Sequence, residues 1–251
     1  MSKRRQRYQF IIIVLAFSTL CSIYACKKDN APDNSAIITD SNSIPNPPVV
    51  LKKMLALGDS YTIGQGVINS ERFPNQTINK IRANGILMDY PGSIVAQTGW
   101  TTRNLLNGIS TAAPNLQPPY DLVTLLIGVN NQYQRRDTNE YKIEFVECLN
   151  KAIAYSGNRP QRVFVLSIPD YGVTPFGMAN AAQIALEIDR FNRINKEICI
   201  NNGIDYTDIT TSTRLAANDP SLICSDSLHP SGIEYEKWAE LLAPKMIPLL
   251  R

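Results

Sequence analysis

The sequence predicts an α/β fold built on a mostly parallel sheet. Three observations predict it. Short apolar runs alternate with amphipathic stretches through residues 49–251. The runs at 122–127 and 163–168 are apolar without alternation, as in strands covered on both faces. Polar, glycine-bearing segments follow the runs, and ligands bind at that end of an open parallel sheet.

The elements follow in chain order. Residues 49–57 form the first strand, leading into Gly58-Asp59-Ser60. A helix is predicted over 73–83, with Pro74 in its first turn and Gly85 closing it. Residues 94–96 make a short strand ahead of Gly99, and 122–127 a buried strand. Ile143, Val146, Leu149 and Ile153 recur at helical spacing within 138–155. After the strand at 163–168 come a helix over 179–200, a strand at 204–206 and a closing helix over 232–242.

The first 48 residues read differently. Lys3, Arg4, Arg5 and Arg7 precede an apolar core at 10–17, too short to span a bilayer, so residues 1–25 read as a secretory signal. Ala25-Cys26 resembles the lipobox of bacterial lipoproteins, which implies lipid on Cys26, a membrane anchor and an extracytoplasmic place in the cell envelope. Ordinary cleavage near Ala25, giving a soluble secreted protein, is the alternative. Residues 26–48 are polar and proline-rich, a tether that buries too little apolar surface to fold alone. Residues 49–251 then make one domain. The formal charge of +3 owes much to the signal: four of the 25 Lys and Arg residues lie in 1–25, leaving 21 against 22 acids. No basic run remains to bind nucleic acid. Cys148, Cys199 and Cys224 include no C-x-x-C pair; one Cys199–Cys224 bridge is conceivable, with buried free thiols the favoured reading.

His229 is the single histidine, within Asp226-Ser227-Leu228-His229-Pro230. Ser60 follows the first strand. A serine at a strand end, activated by an imidazole that a carboxylate orients, is the arrangement nucleophilic acyl transfer requires. An imidazole base works only when neutral, so the rate should fall on acidification. Taken singly, Gly-Asp-Ser is an ordinary turn and Asp226 an ordinary cap; order, placement and the lone histidine make the set unusual.

Four segments, Gly58-Asp59-Ser60-Tyr61, Gln97-Thr98-Gly99-Trp100, Gly128-Val129-Asn130-Asn131 and Asp226-Ser227-Leu228-His229, resemble the four sequence blocks of the SGNH/GDSL hydrolase family, in its bacterial esterase and lysophospholipase-like branch. The resemblance implies a flavodoxin-like three-layer α/β/α sandwich. It also implies a Ser60–His229–Asp226 triad and an oxyanion hole formed by the N–H groups of Ser60 and Gly99 with the Asn130 amide. Tyr61 stands where the family usually has Leu or Ile, and Asn131 where it has Asp, which puts the hydrogen bonding around that loop in question. Asp59 is expected to be structural.

Other chemistries fit poorly. Thr62 breaks the Gly-x-Ser-x-Gly elbow, Gly64-Gln65-Gly66 lacks the third glycine of a dinucleotide fingerprint, and one histidine rules out His-rich zinc motifs. No metal and no cofactor is expected. Tyr61, Trp100, Tyr133, Tyr171 and Phe176 are candidate pocket walls, with packing as their plain alternative. The family implies ester substrates. The absence of a lid insertion favours short acyl groups, which points to acetylated glycans. Lipid or thioester acyl hydrolysis, and a glycan-binding lipoprotein without turnover, are the rivals.

Overall fold

The computed structural model describes residues 49–251. The signal, Cys26 and the tether lie outside the described residues. The strands are β1 (Met54–Gly58), β2 (Ser93–Ala96), β3 (Leu122–Leu126), β4 (Val163–Leu166) and β5 (Asp205–Thr207). They form one sheet in the order β2-β1-β3-β4-β5, and every pairing is parallel. Every residue of β1, β3 and β4 is buried, which accounts for their unbroken apolar runs.

The helices are α1 (Ser60–Ile63), α2 (Phe73–Ala83), α3 (Thr102–Ala112), α4 (Val129–Tyr133), α5 (Thr138–Tyr155), α6 (Ala181–Asn201), α7 (Thr210–Thr213) and α8 (Gly232–Leu250). Right-handed crossovers in this strand order put α2 on one face and α3, α5 and α6 on the other. The packing agrees: α8 lies on α2, while α3, α5 and α6 pack in series. Between α2 and α8, Phe73, Tyr235 and Trp238 are wholly buried.

Several boundaries differ from expectation; β3 and β4 end at Leu126 and Leu166, short of 127 and 168, and the ends of β1, β2 and α6 shift by one residue. The first strand starts at Met54 rather than 49, because no strand neighbours the preceding residues; Val49 and Val50 are exposed and Lys52 makes only a lone bridge to Met88. The helix expected from 179 begins at Ala181, after a turn of 3-10 helix at Met178–Asn180. The last strand sits one residue later than 204–206. The final helix passes Leu242 and runs to Leu250 despite Pro244 and Pro248. Each proline gives up one backbone bond, and the burial of Ala243, Met246 and Leu250 offsets that loss. The helix α3 and the one-turn α1 and α4 were not expected.

Candidate active site

Strand order reverses between β1 and β3, and that switch point is where ligands bind in open α/β sheets. Ser60 follows β1 as the first residue of α1. Asp59 caps it, its side chain accepting the Tyr61 N–H at 3.0 Å, and Gly64 ends the turn in the left-handed region at φ 64°. The approach to Ser60 requires glycine: a Cβ on Gly58 would lie 2.1 Å from Thr62 Oγ1 and 2.4 Å from the Leu126 carbonyl oxygen. Ser60 Oγ has no hydrogen-bond partner among the described residues. Free enzymes often hold such contacts open until substrate arrives.

His229 is buried across from Ser60, and its Nδ1 lies 2.6 Å from Asp226 Oδ2. The other carboxylate oxygen, Oδ1, accepts three bonds: from the backbone N–H of Leu228 and of His229, both at 2.9 Å, and from Cys224 Sγ at 3.0 Å. Partial burial pushes this carboxyl up. The His229 N–H, the Cys224 thiol, the imidazole and the Leu228 N–H together outweigh burial and hold it well below the usual carboxylate range. An ionised Asp226 makes Nδ1 the donor, which leaves Nε2 the acceptor nitrogen of a residue that lines the cavity. Ser227 adopts the left-handed conformation at φ 63° to close this loop, and Cys224 N–H clamps it by donating to the His229 carbonyl at 2.8 Å. Tyr61 is buried against the imidazole, with ring centroids 5.3 Å apart.

Asn130 lies on α4. Its Nδ2 donates to the Trp100 carbonyl at 3.0 Å, which orients the amide and leaves its second N–H unspent. Gly99 sits at φ 80° with open space where a Cβ would stand. Asn131 resolves the question raised by its departure from the family pattern. Its Oδ1 accepts the Thr102 N–H at 3.0 Å, and its Nδ2 donates to Thr102 Oγ1 at 2.7 Å. Thr102 Oγ1 in turn donates to Glu144. The amide thus ties α4 to the first residue of α3 through both of its groups, and an ionised Asp here would lack the second donor.

Ser60, Asn130 and His229 line one cavity of about 140 Å³, walled by Tyr61, Val129, Tyr133, Tyr171, Phe176 and Leu228. Tyr133, Tyr171 and Phe176 form a trio with ring centroids 6.1 to 6.2 Å apart. Trp100 does not join them. Its ring lies over Gly108 of α3, where a Cβ would come within 2.1 Å of it, and it lines a separate depression with Asn104 and Asn107. Val129 and Leu228 escaped sequence reasoning, although each adjoins a candidate residue. So did Cys224, whose only signal was its place two residues before Asp226. Cys148, Cys199 and Cys224 are free thiols, the first two buried in α5 and α6, so the Cys199–Cys224 bridge is not formed. Among the described residues no group of three His, Cys, Asp or Glu side chains is placed to hold a metal ion.

An open parallel sheet with this cavity at its carboxyl edge defines an α/β protein with its site at the strand ends. The whole sequence says which kind: the chain belongs to the GDSL-like lipase/acylhydrolase family, whose sequence model matches residues 56–237. Among solved structures, a lipase from a goat rumen metagenome is 20% identical with a TM-score of 0.63, over 77% of this chain and 97% of its own. A lipase/acylhydrolase from Enterococcus faecalis is 20% identical at 0.61, over 80% and 98%. The psychrotrophic esterase EstA from Pseudoalteromonas sp. is 16% identical at 0.54, over 78% and 95%. At such identities the likeness is one of fold. No curated protein matches the chain in sequence.

Proposed function

We propose that the protein is a serine esterase for short acyl groups, with Ser60 as nucleophile, His229 as general base and Asp226 as its orienting carboxylate. The observation that carries this reading is the 2.6 Å Asp226–His229 pair, whose His229 lines the same cavity as Ser60 and Asn130. Ser60 Oγ gives its proton to His229 Nε2 and attacks the ester carbonyl. The Ser60 and Gly99 N–H groups and the free N–H of Asn130 take up the oxyanion. The imidazolium then protonates the leaving alcohol, and water releases the acyl group by the same steps in reverse.

The size of the cavity sets the acyl group. At about 140 Å³ it is a small space, which favours a short acyl group over a long one. Hydrolysis of p-nitrophenyl esters from acetate to decanoate tests this. The rate should peak between acetate and hexanoate, and Ser60→Ala should lose at least about 10³-fold in kcat. A maximum at octanoate or decanoate would favour the lysophospholipase or thioesterase reading. Failure of a fluorophosphonate to label Ser60 would leave a binding protein. Lipid attachment at Cys26 remains part of the proposal; the sequence of residues 1–26 supports it.

A further inference from the structure

Glu144 takes no part in the chemistry argued above, yet its carboxylate ends a chain of hydrogen bonds that starts beside Asn130. It lies on α5 and is buried. Its Oε1 accepts from Arg103 Nε at 2.8 Å, and its Oε2 accepts from the Thr102 hydroxyl. Thr102 opens α3, and Asn131 sits on α4 next to Asn130; both are buried as well. These three side chains are out of contact with bulk water, so each polar atom depends on the partner the fold gives it.

The chemistry of the groups fixes the direction of every proton in the chain. The Thr102 backbone N–H can only donate, which places Asn131 Oδ1 on its side and leaves Nδ2 facing Thr102 Oγ1 at 2.7 Å. The amide nitrogen also only donates. Thr102 Oγ1 therefore accepts there, and its single proton goes to Glu144. Arg103 has no acceptor, so the other carboxylate oxygen accepts too. The chain runs one way, from Asn131 through Thr102, and it has to end in a group that accepts at both of its atoms. A carboxylate does so; an amide does not.

What the chain holds is α4. Five residues are too few for a helix to keep its own shape, and its cap, Gly128, supplies no side-chain bond. Asn130 has to aim one N–H at the reacting carbonyl while the other stays on the Trp100 carbonyl. The Asn131–Thr102 bonds join the two segments that this requires, since Trp100 stands two residues before Thr102. We infer that Glu144 is a positioning residue for the oxyanion hole, acting through Thr102 and Asn131 to hold the Asn130 amide in place. This rests on the esterase reading, in which Asn130 supplies that donor. The pairing of Glu144 with Arg103 is a lesser part of the effect, because the arginine side chain is half exposed.

The experiment reverses the chain. Asn131→Asp puts an acceptor where Nδ2 donates, so the one Thr102 proton faces two carboxylates. Glu144→Gln sets an amide N–H against either Arg103 or the Thr102 hydroxyl. Together the two changes restore every bond with the direction inverted: the new amide donates to Thr102, whose hydroxyl donates to the new carboxylate, and the amide oxygen still accepts from Arg103. Each single variant should lower kcat on p-nitrophenyl acetate about tenfold with KM within about twofold, and the double variant should return to within about threefold of wild type. Asn130→Ala should lose about 10²–10³-fold and keep a Ser60-dependent remainder, and adding Glu144→Gln to it should cost less than about twofold more. A merely structural Glu144 would show its full loss in that background too. Single variants within about twofold of wild type, a double variant no faster than either single, Asn130→Ala as fast as wild type, or an undiminished loss in the Asn130→Ala background each overturn the inference and leave the esterase reading standing. Wild-type protein without Ser60-dependent hydrolysis overturns both, because Asn130 then has no oxyanion to serve.

Discussion

Cys224 shows how much of the site depends on single hydrogen bonds. Its thiol is pushed up by burial and then by Asp226, so it stays protonated and able to donate. It reaches the carboxylate because Gly66 lies beside it; a Cβ there would stand 2.3 Å from Cys224 Sγ. With three donors on Oδ1, Asp226 keeps Oδ2 for the imidazole. Cys224→Ala should therefore lower kcat/KM on p-nitrophenyl acetate about fivefold, worth roughly 1 kcal/mol as for one ordinary net hydrogen bond, since a thiol is a weak donor, and Cys224→Ser should restore most of it. Equal rates for Ala and wild type would show that two backbone donors suffice. Asp59, on the other side of Ser60, carries a pH effect on stability. Burial, opposed by the Tyr61 N–H and its own backbone, raises its carboxyl to about 7. The folded chain thus holds this proton more tightly than the unfolded one. The stabilisation is whole below the unfolded value of 3.8 and is lost as pH rises through about 7. Asp59→Asn keeps the Oδ1 acceptor for Tyr61 and cannot ionise. Between pH 5 and pH 8 the wild type should lose on the order of 2 kcal/mol relative to this variant, read from urea midpoints. Parallel pH dependence would rule Asp59 out as the source.

At the scale of elements, α8 connects packing to catalysis. Trp238 is wholly buried, 4.9 Å from Tyr235 and 5.7 Å from Phe73 by ring centroids, and 6.5 Å from Tyr61, which itself packs on His229. Its Nε1 donates to Glu234 at 2.8 Å. Trp238→Ala should cost about 3–5 kcal/mol in denaturant unfolding and reduce kcat by loosening the support beneath the imidazole. A loss under 1 kcal/mol would mean that α2 and α8 close the gap. The same elements show what the sequence made legible. The bounds of α2 and α5 matched residue for residue, because an eleven- or eighteen-residue amphipathic pattern repeats enough to announce itself. The strands β3 and β4 stood out because burial on both faces demands apolar residues throughout. The turns α1 and α4 carry Ser60 and Asn130 but span four and five residues, too few for any period. In α3, Gly108, two asparagines and three hydroxyl residues diluted a pattern that Leu105, Leu106 and Ile109 do supply; its capping box at Thr101 and Asn104 was the readable sign. Ser60, Asn130 and His229 stood out in the sequence because each follows or faces a strand end, and the fold brings those three to one cavity; Gly99, after β2, is not among that cavity's walls. The direction of the Trp100 ring was not legible, since a ring's orientation depends on a partner, here Gly108, that lies eight residues away on an unexpected helix.

Across the whole molecule, every group the proposed chemistry uses falls within residues 49–251, and residues 1–48 add none. Once residues 1–25 are removed the chain keeps 21 basic residues against 22 acids, too even a balance to hold it on an anionic membrane surface. Among the described residues no helix is long and apolar enough to cross a membrane. Attachment, in this reading, comes from acyl chains on Cys26, each buried methylene contributing about 0.8 kcal/mol. Fractionation of cells expressing the full chain tests it. Esterase activity should sediment with membranes, and Cys26→Ser should move most of it to the soluble fraction with kcat/KM on p-nitrophenyl acetate within about twofold, since Cys26 lies outside the catalytic domain. Wild-type activity in the soluble fraction would support cleavage near Ala25 without lipid. Activity of Cys26→Ser that still sediments would require another attachment, and uncleaved residues 1–25 would be the first to examine, by N-terminal sequencing of the sedimented protein.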